Sequence, residues 1–130
     1  MKRFWVSCLA VVLTSMVVGG AANAGGDATR IRAQLAGAAI NGMVPKGRAE
    51  FRARATASQL TVQVEDVNLP DGTVLNVLID NSPVGQITIS LLRGEIQLNT
   101  GDGATLPPIG LGTAVVVADQ AGRTIVAGVF

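Results

Sequence analysis

Side chains that commonly act as nucleophiles, bases or metal ligands are scarce in this chain. Its 130 residues contain no histidine, no tyrosine and one cysteine, Cys8. Because Cys8 lies in a segment that we expect to be removed, the usual pairs of nucleophile and base and the usual ligands of transition metals are missing. The serines have no histidine to activate them, and no spacing pairs one of them with Lys46. We therefore expect no enzyme, no cofactor and no metal site.

Carboxylates are the next candidates, because paired acids can hydrolyse glycosides and calcium binds oxygen ligands alone. Five aspartates lie in turns or at the ends of predicted strands, where aspartate is favoured because its side chain hydrogen-bonds to nearby backbone. Neither the segment 99–103 nor the pair 80–81 has the alternating acids of a calcium loop. We expect plain turns around all five, which are Asp66, Asp71, Asp80, Asp102 and Asp119.

Five arginines alternate with apolar residues along two predicted strands near the start of the domain. Alternate residues of a strand point to the same side, so the arginines of each strand share a face. Sequential strands are neighbours about two-thirds of the time, and pairing would merge the two sets into one face. The candidate binding residues on this face are Arg30, Arg32, Arg48, Arg52 and Arg54.

The balance of charge changes along the chain. Residues 25–67 carry six basic and four acidic side chains, whereas residues 68–130 carry two basic and five acidic ones. The basic part could hold an anionic polymer, or the acidic part of a second copy. The competing interpretation is a solvated face on which arginines keep the strands soluble. We expect no nucleic acid, because Phe51 and Phe130 are the only aromatics beyond residue 24 and bases need aromatic side chains to stack on.

Alternation at period two dominates the chain and indicates strands with one buried face. Turns rich in proline, glycine and aspartate separate the segments. The pattern predicts one all-β domain over residues 25–130, an antiparallel β-sandwich or barrel of seven to eight strands that is immunoglobulin-like. The predicted strands are 30–35, 48–55, 60–65, 73–80, 84–91, 95–100, 113–118 and 123–129.

The apolar members of these strands form the predicted core. On the first three strands they are Ile31, Ala33, Leu35, Ala49, Phe51, Ala53, Leu60, Val62 and Val64. On the later strands they are Val74, Val77, Ile87, Ile89, Val115, Val117, Ile125 and Val129.

Residues 1–24 have the three parts of a signal peptide in order. Lys2 and Arg3 precede an apolar run over residues 4–18, and Ala22-Asn23-Ala24 supplies the small residues of a cleavage site. A membrane anchor would need about 20 apolar residues and a polar stop, and this run fades into glycine and alanine instead. We expect export through the general secretory pathway, to the periplasm or the extracellular space, with no membrane span in the mature chain.

The opening of the domain resembles a chordin-type (CHRD) domain. Residues 35–38 and Pro45 lead into the alternating segments 47–51 and 60–64, as the leucine-glycine turn, the proline and the first two strands of that family do. The similarity covers residues 31–67 and implies a secreted, immunoglobulin-like β fold. The family's histidine motif has no counterpart in this chain, so no role of those histidines is carried over.

These features predict a secreted, non-catalytic β domain that is a structural or protein-interaction component of the cell envelope or the extracellular space. Its partner would be a second copy or an envelope protein. The alternative is a soluble binding module that takes an anionic ligand on the arginine face. A lipid-facing barrel is disfavoured, because it needs strands of about 9–11 residues and girdles of aromatic side chains.

Overall fold

The computed structural model describes residues 29–130, and the predicted signal peptide at residues 1–24 lies outside the described residues. Eight strands and one short 3₁₀ turn, Thr100–Asp102, make up the regular structure of these described residues. The strands are β1 Thr29–Ala36, β2 Lys46–Ala53, β3 Ser58–Glu65, β4 Val74–Ile79, β5 Ser82–Thr88, β6 Gly94–Asn99, β7 Ala114–Ala118 and β8 Thr124–Val129. The predicted all-β class and the predicted number of strands are confirmed.

All eight strands belong to one antiparallel sheet, in the order β5-β4-β7-β8-β1-β2-β3-β6. The two end strands, β5 and β6, lie against each other without forming a ladder, so the sheet curls into a nearly closed barrel. Of the sandwich and the barrel that the sequence allowed, the structure therefore shows the barrel-like arrangement. No helix within residues 29–130 is long and apolar enough to cross a membrane.

The apolar residues of the alternating strands fill the interior of the barrel. In β3, for example, Leu60, Val62 and Val64 are buried while the residues between them are only partly covered. Thirteen of the seventeen predicted core residues are buried, and Ile31 and Ala53 pack half-buried against them. The period-two pattern therefore predicted the correct register for the first three strands.

Two of the predicted core positions, Val74 and Val129, are wrong. In β4 the buried side chains are Leu75, Val77 and Ile79, so Val74 has the opposite parity and is only partly buried. Val129 is 58% exposed because β8 carries an extra residue. Val117 pairs with Val126 but Ala118 pairs with Thr124, and this bulge reverses the faces of the later residues of β8.

Further core residues escaped the sequence analysis. Val126 is buried because the same bulge turns it inward next to Ile125. Val67 lies beyond the end of β3, and its backbone N–H donates to the carbonyl of Leu92. A connecting residue of this kind has no periodicity that would mark it as buried.

The seam between β5 and β6 is closed by side chains rather than by a ladder of hydrogen bonds. Ser90 and Arg93 pair in the hairpin that connects the two strands, and beyond them the strands separate. The Ile96 side chain lies directly on the backbone of Gly85, and the Ile87 side chain lies on that of Gly94. A methyl group at Gly94 would clash with Cγ2 of Ile87 and crowd the carbonyl oxygen of Thr88, whereas one at Gly85 would clash only with the end of the Ile96 side chain.

Candidate functional site

Strands β1 and β2 are neighbours, and their register places the predicted arginines on one outward face. Arg30 lies opposite Arg52, and Arg32 lies opposite Glu50. Arg48 lies opposite Gln34, one row further along the sheet. The condition for a shared face, pairing of the first two strands, is met, and four of the five arginines share a surface within these two strands.

The outward residues of β3 and β6 extend this surface across two more strands. Together they form what we call the arginine wall, which has three rows across β1, β2, β3 and β6. The rows are Arg30, Arg52, Gln59 and Asn99; Arg32, Glu50, Thr61 and Gln97; and Gln34, Arg48, Gln63 and Glu95.

The fifth arginine, Arg54, follows the end of β2 in the turn that leads to β3. Its backbone N–H donates to the carbonyl oxygen of Ala57 at 2.9 Å, which closes this turn. The exposed Arg54 and the half-exposed Arg52 line a small depression with a volume of about 110 Å³, together with Gln59 and Asn99. Arg54 therefore borders the arginine wall at the end of its first row.

Glu50 is the carboxylate that compensates part of this positive charge. Its Oε2 lies 2.9 Å from Nε of Arg30 and 3.8 Å from Nε of Arg32. Nε of Arg48 instead donates to Oε1 of Gln63 at 3.0 Å. Within residues 29–130, the guanidinium groups of Arg48, Arg52 and Arg54 have no carboxylate within 4.0 Å. Among the described residues, three cations on or beside the wall are thus left for a ligand or for solvent.

The opposite side of the barrel is aliphatic, which the sequence analysis missed. We call it the aliphatic wall, and its outward residues are Ala36, Leu78, Pro83, Ala114, Val116, Ala127 and Val129. The missed signal was the run of consecutive apolar residues in β4 and β7, which is typical of strands that are apolar on both faces. This wall is about four strand spacings wide and about five residues long, so its area is only a few hundred Å². An apolar patch of this area is ordinary on the surface of a monomeric protein.

The local hydrogen bonding that the sequence predicted for the aspartates is seen at Asp119, whereas Asp71 and Asp80 bond to backbone that is distant in the sequence. Oδ1 of Asp119 accepts from the backbone N–H groups of both Ala121 and Arg123. Oδ1 of Asp80 accepts from Ala114, and Oδ1 of Asp71 accepts from Leu91. These side chains are therefore parts of turns and connections between strands.

Asp66 differs from these aspartates because it forms an ion pair with Lys46, in which Oδ2 and Nζ lie 3.6 Å apart. Over the part of the chain that the structure describes, no three acidic residues come together as metal ligands would. The candidate site of this domain is therefore the arginine wall.

Comparison of the chain with models of protein families, with characterised proteins and with solved structures found no match.

Proposed function

We propose that this chain is an exported, non-catalytic domain whose arginine wall binds an anionic ligand. The observation that carries the proposal is the group of three arginines, Arg48, Arg52 and Arg54, that have no carboxylate within 4.0 Å in residues 29–130. They lie on or beside a single outward face, where their fields add.

The neighbours of these arginines also suit an anion. A guanidinium group donates several hydrogen bonds in one plane and matches carboxylate, sulfate and phosphate oxygens in pairs. Gln59, Gln63 and Asn99 lie next to the arginines in the rows of the wall and add amide donors. Because these residues spread over three adjacent strands, β2, β3 and β6, the surface suits an extended polymer of repeated negative charges.

Retention on immobilised heparin, used as a generic sulfated polymer, tests this proposal. The chain from Gly25 to Phe130 should be retained at low salt and eluted by sodium chloride. An Arg48→Gln/Arg52→Gln variant should elute at a clearly lower salt concentration. Both substitutions are outward-facing, so folding should change by no more than about 0.5 kcal/mol.

A matched control removes the same charge elsewhere. Arg123 lies beside Asp119 before β8, outside the arginine wall, whereas Arg93 shares a depression with Gln63 and Glu95 of the wall and is therefore left unchanged. An Arg123→Gln variant should keep most of the retention, and an Arg52→Gln variant, which removes one charge from the wall, should lose more of it. Equal losses in the two variants would mean that net charge alone governs binding, and the proposal would then be wrong.

The second candidate function is a structural or protein-interaction component of the cell envelope or extracellular space, with a second copy of the chain as its partner. Residues 68–130 carry five acidic side chains against two basic ones, which makes one copy a possible ligand for the arginine wall of another. Sedimentation velocity at 25 and 300 mM sodium chloride tests it. An oligomer that forms only at low salt, and that the Arg48→Gln/Arg52→Gln variant abolishes, would support head-to-tail association; a monomer at both salt concentrations would exclude it.

Export is part of both candidates, and its support is the sequence pattern of residues 1–24. Intact-mass analysis of the protein recovered from the periplasm and the medium tests it. A mass that corresponds to a chain beginning at Gly25 would support cleavage after Ala24. An uncleaved chain in the cytoplasm would contradict it.

A further inference from the structure

The depression beside Arg52 and Arg54 differs from the rest of the arginine wall in its lining. Within residues 29–130 its lining consists of Arg52, Arg54, Ala57, Ser58, Gln59 and Asn99, and none of these six is a carboxylate. The neighbouring depression on the wall is larger, about 250 Å³, and it is lined by both Glu50 and Glu95. An anion would therefore meet repelling carboxylates in the second depression but not in the first.

Hydrogen bonds within the fold determine which groups remain free in this depression. Oδ1 of Asn99 accepts from the backbone N–H of Gly101 at 2.8 Å, so the acceptor end of this carboxamide is already used. Its Nδ2 group, a pair of donors, remains for a ligand. The adjoining backbone is also fixed, because the N–H of Ser58 donates to Oγ1 of Thr100 at 2.8 Å.

We propose that this depression is a subsite for one tetrahedral oxyanion group, a sulfate or a phosphate. Two guanidinium groups and the side-chain amides of Gln59 and Asn99 line the depression, and such donors match the oxygens of this group. A volume of about 110 Å³ equals that of a few water molecules, which accommodates a single oxyanion group but no sugar or base beyond it. The subsite rests on the proposed function in one respect, since the group would belong to the anionic polymer on the wall.

The test is an NMR titration of the isotope-labelled chain with sodium sulfate, sodium phosphate and sodium acetate, at constant ionic strength. Saturable shifts of the Asn99 side-chain amide and the Arg54 Nε–H group are expected with sulfate or phosphate. The anion with the higher affinity identifies the chemical source of the group. Shifts that never saturate, or that acetate produces equally well, would overturn the proposal.

Asn99→Asp is the decisive variant. Asp keeps an oxygen for the N–H of Gly101 but replaces the free donor with a negative charge, so affinity should fall at least tenfold. Asn76→Asp is its matched control, because it makes the same substitution on the outer face of β4, outside the arginine wall, and keeps the oxygen that accepts from Nε2 of Gln86. The control should lose less than threefold, and equal losses would show that the depression has no special role. Thermal melts of both variants verify that they fold.

Failure of the subsite and failure of the proposed function give different results. If heparin retains the chain but no oxyanion saturates it, the wall binds the polymer and the subsite is wrong. If an oxyanion saturates the depression but heparin does not retain the chain, the subsite stands and the proposed function is wrong.

Discussion

Arg30 and Arg52 lie directly opposite each other on adjacent strands, and Glu50 contacts the first of them with Oε2 2.9 Å from Nε. Like charges that face each other across a strand pair are destabilising. Glu50 therefore has an electrostatic role in the fold, because it offsets part of the repulsion, while Arg52 has no carboxylate within 4.0 Å among residues 29–130.

Glu50→Gln should lower the free energy of unfolding by up to about 1 kcal/mol at low salt, since Arg30 and Arg32 lose their carboxylate and Arg52 still faces Arg30. Salt screens exposed charges, so the loss should shrink in 0.5 M sodium chloride. Urea denaturation at the two salt concentrations measures both effects. Glu95→Gln on β6 is the control, because Glu95 lies on the same wall but makes no ion pair within residues 29–130. A loss in Glu50→Gln that salt does not reduce would contradict the electrostatic explanation.

Phe51→Ala should destabilise the domain by about 3–5 kcal/mol, the usual loss for a buried phenylalanine. Phe51 is 8% exposed, and its neighbours across the sheet are Ile31 on β1 and Leu60 on β3. Leu111 is 82% exposed, so Leu111→Ala should change stability by no more than about 0.5 kcal/mol. Chemical denaturation of both variants checks the difference. A Phe51→Ala variant as stable as Leu111→Ala would contradict the packing of the core.

The strands that alternate strictly were predictable from the sequence, and those that do not were only partly so. In β1 as far as Leu35, and in β2 and β3, a polar residue stands between successive apolar ones, and this sets the buried face without help from neighbours. In β4 and β8 most residues are apolar, so the residue types do not show which alternate positions face the interior. The bulge opposite Ala118 added a second obstacle, because its position depends on pairing between strands and not on the residues of one strand.

The candidate site was predictable to a similar extent. The shared face of Arg30 and Arg52 follows from alternation and from the pairing of sequential strands. The position of Asn99 next to Gln59 does not, because β6 pairs with β3 across a separation of forty residues. Charge compensation by Glu50 depends in turn on side-chain geometry. Local pattern alone therefore gave the arginines but neither their amide neighbours nor the depression.

Leu91→Asn should raise the free energy of unfolding by about 1 kcal/mol. Leu91 and Leu92 form a two-residue hairpin turn with φ of 54° and 68°, a left-handed conformation that disfavours leucine by about 1–2 kcal/mol per residue and suits asparagine. Leu91 is 77% exposed, so its replacement removes little packing. The reciprocal variant is Asn81→Leu, at a position with φ of 69°, and it should lower stability by a similar amount. Thermal and urea denaturation measure both changes. If both variants are as stable as the wild type, the left-handed conformation of leucine in these turns carries no strain.

Gly128→Ala should destabilise the domain by about 1–3 kcal/mol or more, because a methyl group at this position would overlap the backbone carbonyl oxygen of Gln34. Gly128 lies on β8 where that strand meets β1, a junction whose ladder consists of the single pair Ala36 and Ala127. A carbonyl of a paired strand cannot move aside as a flexible side chain can, so β8 would have to shift away from β1. Gly110→Ala is the matched control, since a methyl group there would have no atom within 4 Å. Urea denaturation gives the loss of stability, and amide hydrogen exchange should show faster exchange in β1 and β8 of Gly128→Ala only. If the two variants unfold at the same urea concentration, close packing at this junction does not contribute to the stability of the barrel.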